Sequence, residues 1–184
     1  IVPATDNMPS GKALHPGDVV TTYSGQTFEV ISTDAEGRMI LNDALTYAAK
    51  NYEPAAMFDF ATLTGSISIA LGEHAIGYFA NDDTVAERIE EASKTSGERV
   101  WRMPLWEVYD KQLKSTVADF KNTGGRPGGA ITAARFLNKF VMDVPWVHMD
   151  IAGVDGQKSN EGYNPKGSKG PAVRLILDVI RNWG

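Results

Sequence analysis

The chain has 184 residues, of which 42% are hydrophobic and 22% are charged, and its formal net charge is −5. This composition is ordinary for a globular protein, and the acidic balance without a basic patch argues against a nucleic-acid partner. No apolar run approaches the roughly 18 residues that a membrane-spanning helix needs. Because the sequence has no cysteine, disulfides, thiolate metal sites and cysteine nucleophiles are excluded.

The first half of the chain alternates between strand and helix patterns. A polar stretch interrupted by Pro and Gly, from Asn7 to Asp18, predicts a loop. Two β-rich runs flank Ser24-Gly25-Gln26 and predict a hairpin, and apolar residues at helical spacing then predict a helix. The predicted elements are strands at Val19–Tyr23, Thr27–Ile31, Ala55–Thr62 and His74–Ala80, and a helix from about Met39 to Lys50.

The second half continues the alternation. Asp82 and Asp83 offer an N-cap for a helix that Gly97 ends, and Pro171 is expected in the first turn of a last helix. Further predicted elements are a weaker helix at Leu105–Lys114, a stronger one at Gly128–Val141 and a strand at Trp146–Ile151. The apolar face of the last helix is predicted to carry Ala172, Ile176, Val179, Ile180 and Trp183. These patterns predict an α/β fold, a three-layer α/β/α arrangement with a mixed β-sheet.

The segment from Thr33 to Arg38 is the strongest candidate for chemistry. If strand geometry persists through it, Asp34 and Glu36 project to the same side, two residues apart. Two carboxylates so placed can bind divalent cations through oxygen, and one carboxylate can bridge two metals. Gly37 lets the backbone turn, and Arg38 can bring a fixed positive charge to the same cavity.

A structural interpretation of the same segment is also open. Thr33-x-x-Glu36 directly before an apolar periodic run is a capping box, and Asp34 and Glu36 would suit the positive end of a helix dipole. Arg38 would then be a surface residue. Local pattern alone favours this interpretation, because capping motifs are far commoner than metal sites.

The wider sequence resembles the leucyl aminopeptidase family, the cytosolic metallo-aminopeptidases. The resemblance is carried by Ser32–Leu41, where the family usually has Asn in place of Ser32, and by collinear matches along nearly the whole chain. Those matches are Asn7–Lys12, Pro16–Val20, Ala61–Gly65, Trp101–Leu105, Gly129-Ala130 and Asp150–Gly153. The resemblance implies the C-terminal part of the family's catalytic domain, spanning residues 1–184.

The resemblance also implies roles for the acidic segment. Asp34 resembles a ligand of one metal, Glu36 a ligand that bridges two metals, and Arg38 the catalytic arginine that holds a bicarbonate ion as general base. The implied cofactors are therefore bicarbonate and two divalent metal ions, foremost zinc or manganese, with magnesium or cobalt as alternatives. Two cations and an arginine-held anionic base are a sound combination for hydrolysis.

A second group of residues resembles the family's substrate-binding loop and first side-chain pocket. Thr62, Leu63, Gly65 and Ala152 are implied to bind a peptide substrate whose N-terminal residue is leucine-like. Without the wider match, Thr62–Gly65 would be an ordinary strand-to-loop junction. Asp155 departs from the family pattern, which is often apolar there; an acid can favour a polar or cationic first residue, or it can point to solvent.

The family's remaining metal ligands and its catalytic lysine lie upstream, and no segment of this sequence matches them. We therefore expect a fragment of a longer polypeptide, which the apolar start at Ile1 also suggests, with weak metal binding and little hydrolysis by itself. A non-catalytic fragment or assembly module is the alternative. By resemblance, the intact protein is a cytoplasmic homohexamer whose partners are the peptide substrate and the upstream part of the same polypeptide.

The three histidines do not form a zinc-protease motif. His15, in the opening loop, is expected to be solvated. His148 lies in a predicted strand and is expected to be packed and hydrogen-bonded rather than a metal ligand. The glycine-rich run Gly124–Gly129 can form either an anion-binding nest or a loop that allows close backbone approach.

Overall fold

A computed structural model of the chain describes residues 1–160, 162 and 164–184. The α/β class with mixed β-sheets is confirmed. The strands are β1 (Val19–Thr21), β2 (Thr27–Glu29), β3 (Met57–Ala61), β4 (Ile76–Ala80), β5 (Val100–Arg102), β6 (Phe120–Lys121), β7 (Trp146–Asp150), β8 (Gly156–Gln157) and β9 (Gly167–Ser168). The α-helices are α1 (Glu36–Tyr52), α2 (Gly65–Leu71), α3 (Asp83–Ser96), α4 (Gly129–Asn138) and α5 (Val173–Arg181). Further segments, Thr33–Ala35 and Glu107–Leu113, are 3-10 helices.

The chain divides into two compact units, each built from two separate stretches of sequence. Unit 1 comprises Ile1–Ala55 and Leu105–Val144, and unit 2 comprises Ala56–Pro104 and Pro145–Gly184. None of the helices in the described part of the chain is long and apolar enough to cross a membrane.

Unit 1 contains a three-stranded sheet in the order β1-β2-β6. The predicted hairpin is confirmed: β1 and β2 are antiparallel, and their turn passes through Gly25 at φ +91°, a conformation that favours glycine. Strand β6 adds parallel to β2 and pairs Phe28 with Phe120. This pairing brings residues 120–122 beside the end of the hairpin, directly before the acidic segment.

An aromatic cluster and one ion-pair network hold α4 inside unit 1. Phe136 of α4 packs edge-on against Phe28 and Phe120, with ring centroids 5.6 and 5.8 Å apart. Burying one such side chain contributes about 1.5–3 kcal/mol. Arg135 donates two hydrogen bonds of 2.7 Å to the carboxylate of Asp110 in the second 3-10 helix. The weak helix predicted at Leu105–Lys114 is thus a 3-10 helix.

Unit 2 contains a four-stranded mixed sheet in the order β3-β7-β4-β5. Strands β3 and β7 are parallel, β7 and β4 are antiparallel, and β4 and β5 are parallel. The two central strands, β4 and β7, are buried at every position. A small antiparallel ladder joins β8 and β9.

Helices cover both faces of this sheet, so the layered arrangement predicted from the sequence is present within unit 2. Tyr78 and the other residues of its face pack with Ile89 of α3 and Leu175 of α5 in one buried cluster. On the opposite face, α2 lies so close to β4 that a Cβ added to Gly77 would meet Ile67 at 2.2 Å. A side chain at that position would force the buried side chain of Ile67 to shift.

Helix ends in unit 2 both confirm and correct the sequence predictions. The carboxylate of Asp82 accepts from the N–H of Val85 at 3.1 Å, and α3 ends at Gly97 in the left-handed conformation, both as predicted. Pro171 is not in the first turn of α5, because Ala172 is the N-cap and the helix begins after it. Ile180 was predicted on the buried face and is 63% exposed.

Candidate functional site

The acidic segment lies at the start of α1, in unit 1. Asp34 belongs to the 3-10 helix Thr33–Ala35 and Glu36 is the first residue of α1, so the expected strand geometry is wrong. Both carboxylates are exposed. They lie where free backbone N–H groups and the helix dipole favour negative charge.

The capping-box interpretation of this segment is also wrong. The 3-10 helix begins after Ser32 and α1 begins after Ala35, and neither N-cap makes a side-chain capping hydrogen bond to any described residue. Thr33 lies inside the 3-10 helix instead of capping α1. The two acidic side chains are therefore not explained by capping.

Arg38 is buried, with 6% of its surface exposed, whereas the capping interpretation expected a surface residue. Its Nη1 donates to the backbone carbonyl oxygen of Asn122 at 3.0 Å. Burial of a guanidinium is costly unless its donors are satisfied, so this position is defined by the surrounding structure. Asp34, Glu36 and Arg38 thus all lie in the segment that opens α1, the two carboxylates exposed and the guanidinium buried.

Asn122 holds the backbone that leads into this turn, and sequence reasoning missed it. Its side chain is fully buried; Oδ1 accepts from the N–H groups of Ile31 and Ser32 at 2.8 and 3.3 Å. Nδ2 donates to the carbonyl oxygen of Ser32 at 2.7 Å. These bonds fix the residues directly before Asp34 from a position about 90 residues later in the chain. No local pattern marks Asn122, because its partners are remote in sequence.

The donor set of the acidic segment suits a divalent cation but is incomplete. Carboxylate oxygens are ligands for hard and borderline divalent ions, which take four or more ligands in all. Asp34 and Glu36 provide two such groups. Across residues 1–160, 162 and 164–184, no three His, Asp or Glu side chains are grouped so that they could hold a metal ion.

The predicted substrate-binding residues lie in unit 2, at the carboxyl ends of β3 and β7. Thr62 and Leu63 directly follow β3, Gly65 begins α2, and Ala152 lies two residues beyond β7. Parallel neighbouring strands bring their carboxyl ends to the same sheet edge, which is where α/β sheets commonly bind ligands. All four residues therefore belong to two adjacent loops.

Asp150, the last residue of β7, connects these two loops and is 1% exposed. Its Oδ1 accepts from the N–H groups of Leu63, Thr64 and Ala152 at 3.1, 3.3 and 3.3 Å. Its Oδ2 accepts from the hydroxyl group of Thr64 at 2.7 Å. Asp150 was noted in the sequence only as part of a matching motif. An acid at the end of a buried strand was the signal that could have singled it out.

A buried polar group lies on the same face of the sheet, further along β3 and β7. Asp59 accepts from Nε1 of Trp146 at 2.7 Å, and its other oxygen lies 2.6 Å from Nδ1 of His148. His148 is fully buried and stacks against Phe79, so the prediction that it is packed and hydrogen-bonded is confirmed. His15 is exposed, as expected.

A cavity of about 310 Å³ also lies within unit 2. It is lined by charged residues of both signs, among them Glu73, Arg99 and Lys169, and by Val154 from the loop after β7. None of the site residues predicted from the sequence lines it.

The glycine-rich run of unit 1, Gly124–Gly129, allows close approach, since a Cβ at Gly124 would lie 2.7 Å from the side chain of Thr132.

Comparison with known proteins gives matches along almost the entire chain. The sequence model described as "Cytosol aminopeptidase family, catalytic domain" matches residues 1–177. A probable cytosol aminopeptidase of Roseiflexus castenholzii is 53% identical over 184 residues, all of this chain and 38% of that protein. A probable cytosol aminopeptidase of Chloroherpeton thalassium is 56% identical over 184 residues, which are 36% of its length. The chain thus spans little more than a third of these curated relatives.

Solved structures agree with the sequence matches. A mutant of tomato leucine aminopeptidase has a TM-score of 0.90 and 45% identity, covering 97% of this chain and 35% of its own. The bottromycin maturation enzyme BotP in complex with Mn has a TM-score of 0.92 and 39% identity, covering 96% of this chain and 40% of its own.

Proposed function

The chain belongs to the cytosol aminopeptidase family, and from this premise we propose that it is the C-terminal part of the catalytic domain of a metal-dependent aminopeptidase. The proposed reaction is hydrolysis of the N-terminal residue, preferably leucine-like, from a peptide. The observation that carries the proposal is the turn in unit 1, where two exposed carboxylates and one buried arginine lie within five residues of sequence.

Asp34 and Glu36 are the proposed metal ligands, with Glu36 bridging two ions. When bound, two divalent cations supply Lewis acidity toward the scissile peptide bond. Zinc or manganese is proposed first, and the Mn complex of BotP supports manganese. The exposure of both carboxylates and their position at a helix start keep them available to a ligand.

Arg38 is the proposed catalytic residue that holds a bicarbonate ion as a general base. A guanidinium whose position is set by burial and by a bond to the carbonyl of Asn122 can hold a small anion in a constant orientation. The positive charge of Arg38 would neutralise the negative charge of the bicarbonate. The chemistry of the turn therefore combines two anionic ligands with one fixed cation.

Thr62, Leu63, Gly65 and Ala152 are proposed to bind the peptide. They lie in loops at the carboxyl ends of two parallel strands. Asp155 is exposed, three residues beyond Ala152, and its effect on the preferred first residue stays a prediction.

The alternative proposal is a non-catalytic fragment or assembly module. It is favoured by the short coverage of the relatives and by the lack of a third metal ligand near Asp34 and Glu36 among the described residues. Under the main proposal, the upstream part of the same polypeptide supplies the missing ligands. A homohexamer in the cytoplasm is the assembly and location that we propose for the intact protein.

Isothermal calorimetry with Mn²⁺ and Zn²⁺ tests both proposals on the 184-residue chain and on the intact protein. We expect weak binding by the chain and two tight sites in the intact protein, with Asp34→Asn or Glu36→Gln weakening affinity by at least about tenfold. Glu87→Gln, an exposed acid on α3, is the matched control and should leave affinity unchanged.

Hydrolysis of leucyl-4-nitroanilide provides the second measurement. The intact protein should cleave it in a chelator-sensitive manner, and the isolated chain should show little or no cleavage. Robust activity of the isolated chain would refute the partial site. An inactive intact protein with no metal binding would instead support the non-catalytic alternative.

A further inference from the structure

We propose that Asp150 is a positioning residue, which sets the backbone of both loops that receive the substrate. This inference rests on the proposed function, because the two loops are substrate-binding only if the protein is an aminopeptidase. Asp150 does not belong to the set of residues assigned above to metal, base or peptide. Its proposed role is exerted through Leu63, Thr64 and Ala152.

The hydrogen bonds of Asp150 reach both loops from a single carboxyl group. One oxygen accepts three backbone N–H groups, from Leu63 and Thr64 after β3 and from Ala152 after β7. The other oxygen accepts the hydroxyl group of Thr64 at 2.7 Å. The carboxyl group therefore ties two loops that are separated by more than 80 residues in the sequence.

The carboxyl group of Asp150 is buried and depends on these four hydrogen bonds. The residue is 1% exposed, so water cannot replace lost partners at little cost. It forms no salt bridge with any residue for which the structure gives a placement. A buried carboxyl group without a cationic partner requires its N–H and O–H donors, and the loops must keep the conformation that provides them.

Thr64 extends this constraint into α2. Its hydroxyl oxygen accepts from the N–H of Ile67 at 3.2 Å and so caps the helix while its hydrogen is donated to Asp150. The N–H of Ile151 donates to the carbonyl oxygen of Ala61 at 2.9 Å and joins the same two loops one residue further on. The start of α2 and the ends of β3 and β7 consequently form one hydrogen-bonded assembly around Asp150.

Asp59 provides a matched control within the same sheet. It is also buried, at 7% exposure, and lies on the same face, but its carboxyl group bonds to the side chains of Trp146 and His148 within the strands. Removing either carboxyl group should reduce stability. Only removal of the Asp150 carboxyl group should disturb the loops at the sheet edge.

The test uses the intact protein with Asp150→Ala, Asp150→Asn, Thr64→Val and Asp59→Asn. Steady-state kinetics on leucyl- and alanyl-4-nitroanilide are measured with the melting temperature and metal content of each variant. We expect D150A to raise KM about tenfold, which corresponds to about 1.4 kcal/mol of substrate binding, with a smaller change in kcat and a shifted leucine-to-alanine preference. D150N retains one acceptor oxygen and should recover part of this loss, and D59N should lower the melting temperature while leaving KM unchanged.

Hydrogen–deuterium exchange gives a readout that does not depend on activity. D150A, or D150N and T64V if D150A does not fold, should increase exchange in residues 62–67 and 151–153 but not in α3. D59N should not affect those two segments. Unchanged exchange and unchanged KM in folded Asp150 variants would overturn the proposal, as would an equal effect of D59N. Increased loop exchange in D150A, with no aminopeptidase activity in the wild-type protein, would show that Asp150 sets the two loops and would refute the proposed function.

Discussion

Replacing Asn122 with alanine should destabilise the protein by about 3 kcal/mol. The substitution removes two short hydrogen bonds, of 2.8 Å from the N–H of Ile31 and 2.7 Å to the carbonyl of Ser32. It also removes two longer ones, of 3.3 Å from the N–H of Ser32 and 3.4 Å to the sulfur of Met39. Each bond contributes about 0.5–1.5 kcal/mol, and a partner left buried and unsatisfied costs about 1–3 kcal/mol. The bond from Arg38 to the backbone carbonyl of Asn122 is not removed, so the loss falls on the turn before Asp34 and on the contact with Met39 in α1.

Urea unfolding followed by far-UV circular dichroism measures this effect. With an m-value of about 2 kcal/mol/M, the midpoint should fall by about 1.5 M while m is unchanged. Asn51→Ala is the control, because Asn51 is an exposed asparagine of α1 with one side-chain bond of 2.8 Å, and its replacement should change stability by less than about 0.5 kcal/mol. A midpoint for N122A within 0.3 M of wild type would refute the argument that Asn122 holds the turn.

Two further predictions concern close packing and pH. Gly153→Ala should lower stability by about 1–3 kcal/mol in thermal unfolding, because the new Cβ would lie 2.4 Å from the carbonyl oxygen of Gly72, the residue at the C-terminal end of α2. Gly11→Ala is the control: its Cβ would meet nothing within 4 Å, so its thermal unfolding should be unchanged. Burial opposes ionisation of Asp110, but hydrogen bonds from Arg135 and Lys139 prevail and lower its pKa below the ordinary 3.8. Its contribution to stability is therefore present above pH 3.8 and lost as pH falls through the folded pKa, so urea midpoints of wild type and Asp110→Asn should differ more at pH 7 than at pH 3. Equal differences at both pH values would show that the ion pair does not contribute in this way.

The elements that could be predicted from sequence carry their determinants locally. The helix α3 has its cap in Asp82 and its end in Gly97, and both are adjacent to the residues that they act on. The hairpin likewise depends on Gly25 and on two flanking β-rich runs. Because these interactions join residues within a few positions of one another, a single sequence was sufficient to infer them.

Elements that depend on tertiary contacts were missed or misplaced. In α2, serine and isoleucine alternate from Ser66 to Ile69 in a pattern typical of a strand, and the helix forms because Thr64 caps it and Ile67 packs on Gly77. Strand β6 has only two residues and exists because it pairs with β2. Such contacts override local propensity and leave no periodic pattern.

The candidate site stays a prediction. The residues that carry chemical groups, Asp34, Glu36 and Arg38, were identified from their types and from the family resemblance. Asn122 and Asp150 hold the backbone of the turn and of the loops. Apart from Ala152, which is next but one to Asp150, their partners lie more than 80 residues away in the chain. Side-chain type does not indicate which remote backbone a buried amide or carboxyl group will bind.

The position of β7 between β3 and β4 has a consequence for protein synthesis. Strands β3 and β4 are synthesised before β7, but they are not hydrogen-bonded to each other, since β7 lies between them. Asp59 meets its partner His148 only 89 residues later, which corresponds to about 4 to 18 s at ordinary translation rates. During that interval the apolar faces of both strands lack their central neighbour, and such exposed surface favours aggregation, so faster elongation would shorten the period at risk.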